Sequence, residues 1–228
     1  MFSGTRWSLL AGIQSPSAHR GEPLMFLSLD GIDGVGKSTQ LQLLVKKLQH
    51  QGHEVVTCRE PGSTPLGEAI RELLLNDWNT PMNIVSEMLL YMTSRAQLVQ
   101  EVIRPALAEG KIVIADRYLL ASVVYQGYGG GVDTEAIWNV GRVATGDLLP
   151  DRTIVLDLPL NEAANRLGKP DRIEARGDDY REALRAGFTA EAERHPEQIE
   201  LIDARGTEED VATRIWNVVE QIMESGTS

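Results

Sequence analysis

Gly31, Gly36, Lys37 and Ser38 are spaced as G-x-x-x-x-G-K-S in the stretch GIDGVGKST, and that spacing suits phosphate chemistry. Glycines let backbone N–H groups close around phosphate oxygens, and the N-terminus of a following helix adds its positive end. The pattern nominates Gly31, Ile32, Asp33, Gly34, Val35, Gly36, Lys37, Ser38 and Thr39 to hold ATP, with Lys37 reaching the β- and γ-phosphates and Ser38 ligating Mg2+. Lys37 is expected to be an exposed ligand, not a core residue. A second candidate is Asp116-Arg117, after the apolar run KIVIA. An Asp at a strand end can hold the metal or its water, and the adjacent Arg can bind a phosphate at the same rim. Tyr91 and Arg95, four apart in a helical stretch, put a ring and a guanidinium on one face, suited to a nucleobase and its carbonyl edge.

These residues need a scaffold, and the hydrophobic pattern supplies one. Apolar runs at 25–29, 54–58, 111–115, 153–157 and 198–202 read as strands. Helical patterns lie near 37–51, 65–76, 83–108, 117–126, 133–145, 161–167, 178–195 and 207–224. Strands alternating with helices predict a parallel α/β sheet, and continuous hydrophobicity along the strands predicts that both faces are covered. The charged, turn-rich stretch 168–179, GKPDRIEARGDD, reads as a mobile loop.

The net charge of −11 argues against a general nucleic-acid or membrane surface, so the expected partners are small molecules bound in a locally built phosphate site. No apolar run approaches the roughly 20 residues of a membrane span. The single Cys58 excludes an intrachain disulfide, is expected to be a buried thiol, and fits a reducing, cytoplasmic setting. Residues 1–24 show no periodicity and are expected to be a disordered extension before one domain at 25–228.

Phosphate-loop proteins differ in what surrounds the loop. The Asn-Lys-x-Asp base reader of signalling GTPases is absent, and KIVIA runs into Asp116-Arg117-Tyr118 instead of the Asp-Glu of remodelling ATPases. The segments GIDGVGKST, REPGSTPLGEAIR, LLYMTSRAQLVQEVIRPAL, DRYLLASVVYQGYGGG, GDLLPDRTIVLDLP and DRIEARGDDYR occur in order across nearly everything from Met25 onward. Together they resemble the thymidylate kinase family.

That resemblance implies a P-loop NTPase fold of three α/β/α layers, with a five-stranded parallel sheet surrounded by helices and a short lid at about 168–177. It implies transfer of the ATP γ-phosphoryl to dTMP with Mg2+ as cofactor, and a homodimer built by helix packing. Residue by residue, Asp33 would sit on the sugar and metal side of dTMP, near Glu60. Arg71 and Arg117 would hold the acceptor phosphate, Tyr91 would stack on thymine where Phe is more usual, and Arg95 would donate to the base carbonyl. Ser122 and Gln126 would touch the base edge, Tyr125 would crowd the sugar 2′ position, and Asp116 would stand by the metal with Ser38. The family places an arginine over the transferring phosphoryl, in the loop or in the lid. Ile32, Asp33, Gly34 and Val35 include none, so the lid must supply it. Arg172 is the first candidate, Arg166 and Lys169 are helpers, and Arg176 is a lesser choice. One departure is Gly62-Ser63, where Gly-Gly is usual.

Two other classes fit the loop alone. A deoxynucleoside kinase phosphorylates a neutral hydroxyl and needs a carboxylate base, whereas clustered Arg71, Arg95 and Arg117 suit an anionic acceptor. A switch or binding module would keep the loop without turnover.

Overall fold

Five parallel strands make the expected sheet: β1 (Phe26–Asp30), β2 (Val55–Arg59), β3 (Ile112–Asp116), β4 (Arg152–Asp157) and β5 (Ile199–Asp203), in the order β2-β3-β1-β4-β5. The computed structural model describes residues 25–76, 81–164 and 177–225. The expected extension 1–24 and all of the expected lid except Gly177 lie outside these residues. β1, β2, β3 and β5 run one residue beyond their expected ends. Each strand closes on a charged side chain, Asp30, Arg59, Asp116, Asp157 or Asp203, because the backbone ladder tolerates a charge at the sheet rim, where it can be paired or solvated.

The helices are α1 (Lys37–His50), α2 (Pro65–Leu75), α3 (Ile84–Leu98), α4 (Arg104–Ala108), α5 (Leu119–Ser122), α6 (Thr134–Thr145), α7 (Leu160–Ala164), α8 (Asp178–Arg194) and α9 (Glu208–Ser225). The expected helix 83–108 is interrupted by a π-helical turn at Val99–Ile103 that joins α3 to α4. The helix expected at 117–126 starts at Leu119 and passes from α5 into a π-helical turn, Val123–Tyr128. The Gly129 N–H donates to the Val124 carbonyl five residues back, at 2.9 Å, the long loop that defines such a turn.

Side chains alternate across the central strands and so build a core on each face of the sheet. Leu27 and Leu29 of β1 and Ile112 and Ile114 of β3 join Leu44, Leu48, Phe188, Ile215 and Val219 under α1, α8 and α9. Phe26, Val113 and Ala115 face the other way, against Leu98, Val99, Ile103, Leu119 and Ile137. Full burial of each such side chain contributes about 1.5–3 kcal/mol, and cutting Leu29 to Ala would cost about 2–5 kcal/mol. Thr64 caps α2 by accepting from Gly67 N–H, with Pro65 as the first helical residue. The start of α1 is different: Gly36, in a left-handed conformation with φ 98°, makes no side-chain cap. The first N–H groups of that helix are left for a ligand. None of the described helices is long and apolar enough to cross a membrane.

Candidate active site

The loop leaving β1 needs its glycines. Gly31, Gly34 and Gly36 all have positive φ, and a Cβ on Gly31 would collide with the carbonyl oxygen of Leu156 on β4. Lys37 departs from expectation: it is buried, only 8% exposed. Its Nζ donates to the carbonyls of Ile32 at 2.8 Å and Gly31 at 3.1 Å, and lies 3.5 Å from Asp33 Oδ1. The inward carbonyls of its own loop draw the ammonium under the turn. Burial, and then the positive charge of Arg117, push its pKa down to about 8, against the pull of Asp33, Asp116 and Asp30.

Arg117 follows β3 with φ 69°, a left-handed conformation rare for a side chain of this size, and it points back over the loop. Its Nη1 donates to Gly31 O at 2.9 Å, and its Nη2 donates to Asp33 Oδ1 at 2.5 Å and to the Tyr125 hydroxyl at 2.9 Å. Tyr125 in turn donates to Asp33 Oδ2 at 3.0 Å, closing a ring of three side chains. Burial works to raise the pKa of Asp33, but the charges of Arg117 and Lys37 and the Tyr125 hydrogen bond outweigh it and hold the carboxyl well below its ordinary range. Asp30, on the other side of Arg117, is fully buried. It takes one hydrogen bond from Ser28 Oγ at 3.1 Å, and its Oδ1 lies 3.8 Å from Arg117 Nη1. Burial pushes it up to about 6 despite Arg117, Ser28 and Lys37.

Two cavities open on this network. The larger, about 780 Å3, is lined by residues 33–40 of the loop and α1, by Arg59, Asp116 and Arg117, and by Ala204, Gly206, Thr207, Glu208 and Val211 beyond β5. Ser38 and Thr39 are among its lining residues. Gly31 and Ile32 do not line the cavity; their carbonyls hold Lys37 and Arg117 instead. The hydroxyl of Ser38 and the carboxylate of Asp116 share this cavity, a hard-oxygen pair that suits Mg2+, which takes one or two protein oxygens beside substrate phosphates.

The smaller cavity, about 180 Å3, gathers every candidate acceptor residue: Asp33, Glu60, Arg71, Tyr91, Arg95, Arg117, Ser122, Tyr125 and Gln126. Asp33, Glu60, Arg71 and Arg117 line both cavities. Arg71 Nη1 donates to the Pro61 carbonyl at 3.0 Å, which aims the guanidinium at the junction. Arg95, read from sequence as a ligand donor on a helix face, is 1% exposed and heavily engaged. Its Nε donates to Glu60 Oε2 at 2.7 Å, its Nη2 to Tyr118 O and Ser122 Oγ at 3.1 and 2.9 Å, and its Nη1 to Met92 Sδ at 3.0 Å. Burial pushes Glu60 up to about 7 against Arg95. Gln126 is buried, its Nε2 donating to Glu87 Oε1 at 3.0 Å.

Arg166, Lys169, Arg172 and Arg176 lie outside the described residues. Sequence reasoning missed Asp30, Glu87 and the 204–208 strip. The strip was findable, since ligands in parallel sheets sit beyond the carboxyl ends of strands and β5 ends at Asp203. Glu87 offered no local signal.

A family model described as thymidylate kinase matches residues 29–215. The chain is 46% identical over 193 residues to a thymidylate kinase of Exiguobacterium sibiricum, covering 83% of this chain and 91% of that one. It is 45% identical to a thymidylate kinase of Rhodopirellula baltica, covering 88% and 82%. Among solved structures, the thymidylate kinase of Ehrlichia chaffeensis superposes with a TM-score of 0.71 at 30% identity, over 87% of this chain and 99% of its own.

Proposed function

The chain belongs to the thymidylate kinase family, enzymes that phosphorylate dTMP, and we propose that it does so by in-line transfer of the ATP γ-phosphoryl across the junction of its two cavities. The observation that carries this reading is the shared wall: Asp33, Glu60, Arg71 and Arg117 face both cavities, so phosphates entering from either side meet there.

The acceptor is a phosphate oxygen already anionic at neutral pH, so no strong general base is needed and catalysis rests on positioning and charge neutralisation. Lys37 swings from the carbonyls of Gly31 and Ile32 to the β- and γ-phosphates. Arg117 and Arg71 take the acceptor phosphate, and Asp33 releases Arg117 as that anion arrives. Tyr91 covers the base, while Tyr125, held by Arg117 and Asp33, faces the sugar. Ser38 and Asp116 would hold Mg2+, whose charge offsets that of the phosphates when it is bound. Arg172 supplies the lid charge that the loop lacks, with Arg166 and Lys169 assisting.

Leu66 and Leu73 on α2, Val85 and Leu89 on α3 and Val143 on α6 are 42–84% exposed on three neighbouring helices, which supports a homodimer packed through this face. The buried Cys58 suits a reducing compartment, and we assign the activity to the cytoplasm.

ADP release by the purified chain tests the reading, with dTMP, dUMP, thymidine or no acceptor. Turnover with dTMP and none with thymidine is expected; equal turnover with thymidine would point to a hydroxyl acceptor and overturn it. Arg172→Ala should lower kcat by about 10³ with little change in dTMP binding, because its charge is met only in the transition state.

A further inference from the structure

The larger cavity has two unlike walls. On one, the phosphate loop and α1 bring Lys37 and the uncapped first N–H groups of the helix. On the other, the strip 204–208 leads into α9, whose first turn carries Glu208, Glu209 and Asp210. That helix closes its own end: Asp210 N–H donates to Thr207 Oγ1 at 3.1 Å, and Thr207 N–H donates to Asp210 Oδ2 at 3.0 Å. Arg205 is paired with Asp203 and does not line the cavity. The loop therefore attracts phosphate and the strip repels it, so the uncharged half of a donor nucleotide falls against the strip.

Gln40 on α1 joins the two walls. Its Nε2 donates to the Glu208 carbonyl at 2.9 Å, across 168 positions of the chain. The side chain is 3% exposed, and its Oε1 is buried with no hydrogen-bond partner among the described residues. Turning the amide round gives no relief, because the Glu208 carbonyl only accepts. A buried oxygen without a partner costs about twice what one hydrogen bond contributes, so the amide is a poor choice for stability alone. The helices do not need it: Leu44 shares a core cluster with Val211, Ile215 and Val219, and Lys47 Nζ sits 3.9 Å from the Trp216 ring centroid. We propose that Gln40 is a positioning residue for the donor nucleotide: by tying Glu208 to α1, it sets the separation of loop and strip so that one ATP molecule meets both walls at once. The inference rests on the ATP reading above.

The test is Gln40→Met, which removes the tie and the unpaired oxygen together and keeps an unbranched side chain of similar length. Binding of ADP is measured by calorimetry beside binding of inorganic tripolyphosphate, a probe that meets the phosphate wall alone. The Kd for ADP is expected to rise about tenfold, the worth of roughly one hydrogen bond, while the Kd for tripolyphosphate holds. In turnover, the KM for ATP should rise with it and the KM for dTMP should not. The urea midpoint should stay level or increase, since the buried unpaired oxygen is gone. A variant that fails to fold, or unfolds at lower urea, would assign Gln40 to the scaffold and overturn the proposal. An unchanged Kd for ADP, or equal weakening of ADP and tripolyphosphate, would overturn it too. Absence of ADP binding by the wild-type protein would overturn both it and the reading beneath it, whereas ADP binding without dTMP turnover would overturn that reading's acceptor only.

Discussion

Replacing Asp30 with Asn isolates the cost of keeping a carboxylate at the foot of the phosphate loop. Asp30 is fully buried, and its Oδ1 has no hydrogen-bond partner among the described residues. Burial raises its pKa from 3.8 to about 6. A carboxyl whose pKa rises on folding binds its proton more tightly in the native state. Its stabilising contribution is therefore complete below pH 3.8 and is lost as the pH climbs through about 6. At about 1.36 kcal/mol per pKa unit, the ionised side chain costs the fold about 3 kcal/mol at neutral pH. Asparagine keeps the volume and can still accept from Ser28 Oγ, but it does not titrate. Any cost of its own amide is the same at every pH. The stability difference between variant and wild type should therefore shift in favour of Asn by about 3 kcal/mol between about pH 3 and about pH 7.5. For a chain of this size that is about 6–12 °C in Tm. Urea unfolding at both pH values, with the slope unchanged, measures it. A pH-independent difference, or one that turns toward the wild type as pH rises, would mean that Arg117 at 3.8 Å compensates the buried charge in full, and the reasoning would fail.

Lys37→Ala should abolish turnover and, by leaving the inward carbonyls of Gly31 and Ile32 without their donor, cost about 1–3 kcal/mol of stability; normal turnover would remove the loop from the mechanism. Tyr91→Ala should weaken dTMP binding by about 1–3 kcal/mol, read by calorimetry, with Phe equal to the wild type; a Phe variant as weak as Ala would shift the role from ring to hydroxyl. Arg95→Ala strands Glu60 in a buried site and should cost about 3–5 kcal/mol of stability. It should also raise the KM for dTMP and not for ATP, so equal movement of both constants would contradict a base-side position. Aspartate at both Leu73 and Leu89 should yield a monomer by sedimentation; an intact dimer would place the interface elsewhere.

The strands and the phosphate loop were legible because their signals are contiguous: an apolar run, then glycines at fixed spacing, then an amphipathic helix. What escaped depends on residues far apart in the chain. Arg95 looked available because its partners Glu60, Tyr118 and Ser122 lie 35, 23 and 27 residues away. Lys37 looked exposed because a motif gives the reach of a side chain but not where it rests between ligands. The π-turns were invisible for another reason. One additional residue barely disturbs the apolar period of a long helix, so the patterns at 83–108 and 117–126 read as regular.

The π-turn at Val123–Tyr128 makes chain length itself a variable of the nucleotide pocket. Such a turn takes up one surplus residue while the helix on either side keeps its line. A one-residue deletion within it would close into regular helix at little cost to the scaffold. With Val123 or Val124 removed, the side chains that follow would be carried about 100° around the axis, taking Tyr125 and Gln126 off the wall they now line. Stability measurements would hardly register such a change, and substitution scanning, which conserves length, never samples it. Insertions and deletions here would rewrite ligand choice while leaving the architecture alone.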